Sequence, residues 1–234
     1  KKAFKVLSKA VEAFPENGAL HMELARMAQK IDLTESAFYH MEQGLLLEGV
    51  PLEDKMPVVL SIYENRENPS FRALFDRVFP VLEQKYSGRI ELLLVHAQIH
   101  IQNGRWPEAL ETYLSAISMN PTNYALYQMA YSLSQQVGDV DGQIALLERI
   151  EESFSADEDI LEGLVYEYYN VGHWTSCARL ATARAQMTLD PEVAGNLYAL
   201  AGTAWFQLDS FELGTASYDK ALELERSPTT LNNY

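Results

Sequence analysis

The sequence is short of cations, and that shortage bounds its partners first. Its 18 Lys and Arg stand against 33 Asp and Glu, a formal net charge of −15 over 234 residues. Nucleic acids and anionic membrane surfaces carry the same sign, so neither is expected as a partner, whereas a basic or neutral polypeptide is easier to accommodate. Cysteine is nearly absent too. Cys177 alone cannot close an internal disulfide, and it neither demands an oxidising compartment nor excludes one. No apolar run approaches the roughly 18 to 20 residues that span a bilayer, the richest being Leu92 to Val95 with Glu91 before it, so direct membrane insertion is not expected. Lys1 to Lys5 lack the apolar segment that would follow the charges in a secretion signal. Gly-rich phosphate loops, a nucleophile elbow and paired-Cys zinc patterns are also missing, and no cofactor is expected.

What is present is a globular composition, 47% hydrophobic, enough for a sizeable core. The charge is uneven: residues 1–117 hold 13 basic and 16 acidic side chains, and residues 118–234 hold 5 and 17. The acidity belongs to the C-terminal half.

A period of about 34 residues, with small and aromatic side chains at set offsets, signals stacked helix pairs. The strongest unit is 90–123. Ala97 sits in its first helix, Asn103 and Gly104 break that helix, and Trp106 and Pro107 open the second, where Pro in the first turn costs little. Ala109, Tyr113 and Ala116 then recur at i, i+4 and i+7 before Asn120 and Pro121 stop the helix. Small residues beside an aromatic let two helices approach closely and lock. In 195–228 the first helix reads Tyr198, Ala201, Gly202, Trp205 and the second Phe211, Gly214, Tyr218, Ala221.

This pattern resembles the tetratricopeptide repeat family, which has a Trp-x2-Leu-Gly-x2-Tyr first helix, then Ala-x3-Phe and a closing Pro. Here His96 stands where the family has Leu, and His100 where it has Tyr. The resemblance implies an all-α fold, a right-handed superhelical α-solenoid of stacked antiparallel helix pairs. Repeats are set at 18–51, 52–89, 90–123, 124–157, 158–194 and 195–228. Residues 1–17 read as the second helix of a truncated repeat and 229–234 as the start of a further one, so both ends read as cut from a longer array. Segment 52–89 is divergent, with Pro80 expected to kink or break its second helix. In 124–157, Gln143 replaces the usual small residue and weakens the case for a second helix. The ending from Pro228 to Tyr234 is similar to repeat starts in bacterial tetratricopeptide proteins. Many of these are exported, which implies a bacterial origin and a periplasmic or envelope-associated location, with the cytoplasm as the alternative.

Two groups carry chemistry by spacing. His96 and His100 lie one turn apart on one helical face, the spacing of two metal ligands. Ala97 occupies the place where a zinc protease needs its Glu, and both histidines also suit packing positions of the repeat. His173 precedes Cys177 by four residues, a base and a nucleophile, but Cys177 also falls where the repeat needs a small buried side chain. The acidic stretch from Glu151 to Glu167 reads either as a solvated loop with a favourable helix start or as a docking patch for a basic segment.

The resemblance implies a non-catalytic scaffold that binds a protein or peptide along its first helices, on the concave side. Carried over by position, the candidate contacts are Arg26, Tyr63, Arg66, Gln98, Gln128, Gln135, Tyr166, Tyr169 and Asn196. This predicts a polar and aromatic groove of types common among binding anchors. Chaperone-binding members grip a carboxylate with clustered Lys, Arg and Asn. That cluster is absent, Arg26 and Arg66 being the only basic candidates. The alternatives are a metal-binding or enzymatic module centred on His96 and His100, and a homo-oligomer formed through the cut ends.

Overall fold

A computed structural model describes residues 2–224. Among them the regular structure is helical throughout, with one isolated bridge between Asn17 and Glu48. The expected start of a further repeat at 229–234 lies outside the described residues. No helix among the described residues is long and apolar enough to cross a membrane.

The chain divides into two compact units, Lys1–Met119 and Asn120–Tyr234. The first contains α1 (Lys2–Ala13), α2 (Gly18–Gln29), α3 (Thr34–Leu46), α4 (Leu52–Glu64), α5 (Pro69–Lys85), α6 (Ile90–Gln102) and α7 (Trp106–Met119). The second contains α8 (Tyr124–Val137), α9 (Val140–Ser153), α10 (Glu158–Asn170), α11 (Trp174–Met187), α12 (Pro191–Gln207) and α13 (Phe211–Leu224). Within each unit the helices pack as consecutive hairpins, α2 on α3, α4 on α5 and α6 on α7, then α8 on α9, α10 on α11 and α12 on α13. First helices of adjacent hairpins also touch, α4 on α6 and α10 on α12.

Local chemistry sets the boundaries. Side chains of Asn17, Asn68, Asn123, Asp139, Asp157 and Asp190 accept hydrogen bonds from backbone amides of the first turn that follows each, satisfying donors a helix start leaves unpaired. Pro69 and Pro191 sit at the first helical position, where the missing N–H costs nothing. At the α8–α9 turn Gly138 takes φ +78°, a left-handed stop open to glycine. At the α2–α3 and α12–α13 turns the left-handed residue is Asp32 (φ 59°) or Asp209 (φ 56°).

The cores follow the small-and-large rule. Ala97, Ala109, Ala116, Ala130, Ala201 and Ala221 are fully buried, and they let neighbouring helices come close enough for Tyr113, Tyr127, Tyr168 and Tyr218 to lock between them. The first unit's core runs through Leu45, Val59, Leu74, Val78, Leu82 and Val95.

Two local expectations are corrected. Pro80 does not break its helix, for α5 continues from Pro69 to Lys85. The proline is exposed while Val78, Phe79 and Leu82 around it are buried, so packing of the opposite face holds the helix across the missing hydrogen bond. Gln143 does not prevent α9: it is buried, and its Nε2 donates to the Ser134 carbonyl at 3.4 Å. The polar end of the misfit side chain is thereby satisfied.

Candidate functional site

The first helices of the second unit frame a cleft of about 230 Å³ between α8 and α10, floored by α9. Its α8 wall carries Tyr124, Gln128, Tyr131 and Ser132, spaced at i, i+4, i+7 and i+8 so that they share one face. Leu147 and Ile150 of α9 form the floor, and Gly163, Leu164 and Glu167 of α10 form the other wall.

Neighbouring groups position the key wall residues. The Tyr124 ring meets Phe154 edge-on at 5.3 Å, and buried Tyr127 does the same from the next turn at 5.6 Å. Asp157, the cap of α10, accepts from the Ile160 amide and so fixes where α10 begins. Tyr131 Oη donates to Glu167 Oε2 at 2.9 Å, bridging the cleft at one end. Gly163, one turn before Glu167, leaves an opening: a methyl added there would meet nothing within 4 Å.

The electrostatics are one-signed. Burial first, then the hydrogen bond to Glu167 and its charge, hold the Tyr131 phenol far above its ordinary value, with Gln135 beside it acting the other way. Tyr131 is therefore a neutral donor across the physiological range. The Tyr124 phenol is also raised, by burial and then by Glu167 and Asp157. The site combines aromatic walls, an apolar floor, an amide and a half-buried carboxylate that accepts a hydrogen bond from an uncharged phenol. Such a site suits an extended chain with one side chain pointing inward.

The expected binding residues are distributed unevenly around it. Gln128 lines the cleft and Gln135 stands beside Tyr131. Tyr166 projects from α10 into solvent, 48% exposed. Tyr169 is half-buried, edge-on to Trp174 at 5.4 Å. Asn196 is exposed on α12.

In the first unit Tyr63 and Arg66 are brought together. The guanidinium lies 3.9 Å from the ring centroid, donates to the Tyr63 carbonyl at 3.0 Å, and reaches Asn103 Oδ1 at 3.2 Å. Asn103 Nδ2 in turn donates to Tyr63 Oη at 2.7 Å. These groups tie the end of α4 to the end of α6, and Arg66 is largely engaged within the fold. Gln98 is half-buried on α6, and Arg26 is exposed and paired with Glu23 at 3.0 Å.

Sequence reasoning missed Tyr124, Tyr131, Gly163 and Glu167 as wall residues. Tyr131 and Glu167 stand about one repeat apart, and that separation is the signal that could have paired them.

The other spaced groups also resolve. His96 Nε2 meets Glu83 Oε1 at 2.8 Å and the ring packs on Phe79. His100, one turn on, has no carboxylate as near, and among the described residues no group of three or more His, Cys, Asp or Glu is placed to hold a metal ion. Cys177 is fully buried, burial pushes its thiol up to about 12, and its link to His173 is the ordinary backbone bond of the helix.

No protein-family model matches the chain, and no curated protein matches it. Solved structures do. In fold, the chain is similar to tetratricopeptide repeat proteins. One is YrrB, described as a tetratricopeptide protein with an unusual peptide-binding site, at 14% identity over 97% of this chain and 96% of that one, with a TM-score of 0.45. Another is the MamA protein, at 16% identity over 73% of this chain and 91% of that one, TM-score 0.44. A third is a tetratricopeptide repeat protein from Parabacteroides merdae, at 15% identity over 99% of this chain and 89% of that one, TM-score 0.44.

Proposed function

We propose that the protein is a non-catalytic scaffold that holds an extended segment of a protein partner against its first helices, with the α8–α10 cleft as a principal contact. The observation that carries this reading is the cleft itself, an open-sided recess whose aromatic walls and apolar floor supply contact area while Gln128, Ser132 and Glu167 supply polar anchors. Amides and hydroxyls on a helix face suit a peptide backbone, which presents both donors and acceptors. Tyr166, Tyr169 and Asn196 extend the same kind of surface along the first helices of the second unit, and Gln98 offers a polar contact of its own on α6 of the first. The buried neutral thiol of Cys177 and His96, hydrogen-bonded to Glu83, fit packing roles, in keeping with the non-catalytic part of the proposal.

A site-specific photo-crosslinker tests this. Placed at Gln128 it should capture a partner polypeptide, whereas the same group at Ala145, exposed on α9 and outside the cleft, should not. Equal capture from both positions would count against the cleft.

A further inference from the structure

Among the described residues of the second unit, no cation is paired with the carboxylate of the cleft. Glu167 is half-buried, and its hydrogen bond comes from the Tyr131 phenol, which burial keeps neutral. The cations of the second unit's described residues are engaged elsewhere. Arg179 pairs with Glu151 at 2.6 Å and Arg184 with Glu158 at 3.4 Å, while Arg149 lies 5.8 Å from the Tyr127 ring and Lys220 lies 5.1 Å from that of Tyr198. Asp157 adds a second acidic influence, for with Glu167 it raises the Tyr124 phenol. A carboxylate that accepts only from a neutral phenol still has acceptor capacity for a charge-assisted hydrogen bond from an arriving cation.

Beside that charge lies room of the right shape. Gly163 is one turn from Glu167 on the same helix, and a methyl built on it would touch nothing within 4 Å. The rings of Tyr124 and Tyr131 and the apolar side chains of Leu147 and Ile150 line the same cleft as Glu167. A long side chain with an apolar stem and a cationic head fits both demands, since such side chains lay their methylenes on apolar surface and keep the charge at a polar tip.

We infer that the α8–α10 cleft takes a lysine or arginine side chain of the partner segment, with the cation on Glu167 and the stem between the two tyrosines. Charge complementarity extends beyond the pocket, because residues 118–234 carry 17 acidic against 5 basic side chains. That surplus draws a basic segment in before it docks. This inference rests on the peptide-binding reading and adds the residue type that enters.

The test uses amide NMR of the whole chain titrated with four capped seven-residue peptides of Ser and Ala. They differ at the central residue: Lys, Arg, norleucine or Glu. The Lys and Arg peptides should shift the Gly163 amide saturably, with the norleucine and Glu peptides about tenfold or more weaker. Glu167→Gln keeps an oxygen for Tyr131 to donate to, and it should bring the Lys peptide down to the norleucine level while leaving the remaining spectrum in place. Binding of Lys should also weaken as salt rises. If the Lys and norleucine peptides bind equally at Gly163, the charge assignment is overturned and the peptide reading stands. If no peptide moves Gly163, both fail.

Discussion

The imidazoles of His21 and His40 meet Nδ1 to Nδ1 at 3.0 Å, joining α2 to α3. Two ring nitrogens can share that contact only if one carries the proton. His21 Nε2 faces the Pro15 carbonyl at 3.0 Å and must donate to it, so in the neutral pair His21 Nδ1 accepts and His40 Nδ1 donates. The pair thus ties the turn after α1 to two helices, and the Tyr39 ring packs on both imidazoles. Burial, and then His21, hold the His40 pKa below its ordinary 6.5. A histidine kept neutral by folding adds no pH dependence above the unfolded value. As pH falls through about 6.5 the unfolded chain takes up the proton first, and stability is lost until the lower folded pKa is reached. Thermal midpoints of wild type and His40→Gln should therefore converge as pH drops from 7.5 to 5. A constant gap over that range would defeat the argument.

Gly202 and Gly163 both lie inside helices, yet alanine should act on them with opposite sign. A methyl at Gly202 would fall 2.9 Å from the Tyr218 ring, which is buried and held by Thr203 at 2.6 Å. Overpacking of that kind costs about 1–3 kcal/mol. At Gly163 the methyl meets open space, and Ala gains about 0.5–1 kcal/mol through helix propensity. Urea unfolding should thus separate the two variants by more than either differs from wild type. The stabilised Gly163→Ala variant should also bind a partner peptide less well, because its methyl enters the cleft.

Asp32 and Asp209 hold the left-handed turn conformation in which Gly104, Gly138 and Gly172 stand at three of the other hairpins. An L side chain there is strained by roughly 1–2 kcal/mol, less for Asp, whose short polar chain tolerates the region. Replacing Asp32 with Gly should recover most of about 1 kcal/mol, offset in part by the greater freedom of glycine in the unfolded chain. A lowered denaturation midpoint would show that the aspartate makes a compensating contact.

These positions also show what the sequence can disclose. Helix pairing was legible because its signal is local: Ala109, Tyr113 and Ala116 stand on one face of one helix, and the Gly turns and Asn or Asp caps fall between apolar stretches. Pro80 and Gln143 misled because a rule about one residue was outweighed by packing of the opposite face and by one hydrogen bond. The cleft was illegible for a different reason. Which face a first helix leaves free can be guessed from its own spacing, and that guess reached Gln128. The pairing of Tyr131 with Glu167 depends on how far one hairpin is displaced along the next, which the sum of many side-chain contacts decides. Glu167 in sequence was one acid among seven between Glu151 and Glu167.

Cys177 is a reporter built into the second unit. It is fully buried, and burial raises its thiol to about 12. Reaction with a disulfide reagent requires the thiolate, whose population at pH 8 falls about a thousandfold when the pKa moves from 9 to 12. Access is blocked as well, so labelling must await opening of the α10–α11 hairpin, and its rate measures that opening. In native buffer the thiol should react at least about a thousandfold more slowly than a cysteine in an unstructured peptide. It should approach the peptide rate above the urea midpoint. Gly202→Ala, which strains the neighbouring hairpin, should speed labelling if the hairpins open together and leave it unchanged if they open singly. Native labelling within tenfold of the peptide rate would mean that the thiol is not buried as the structure places it.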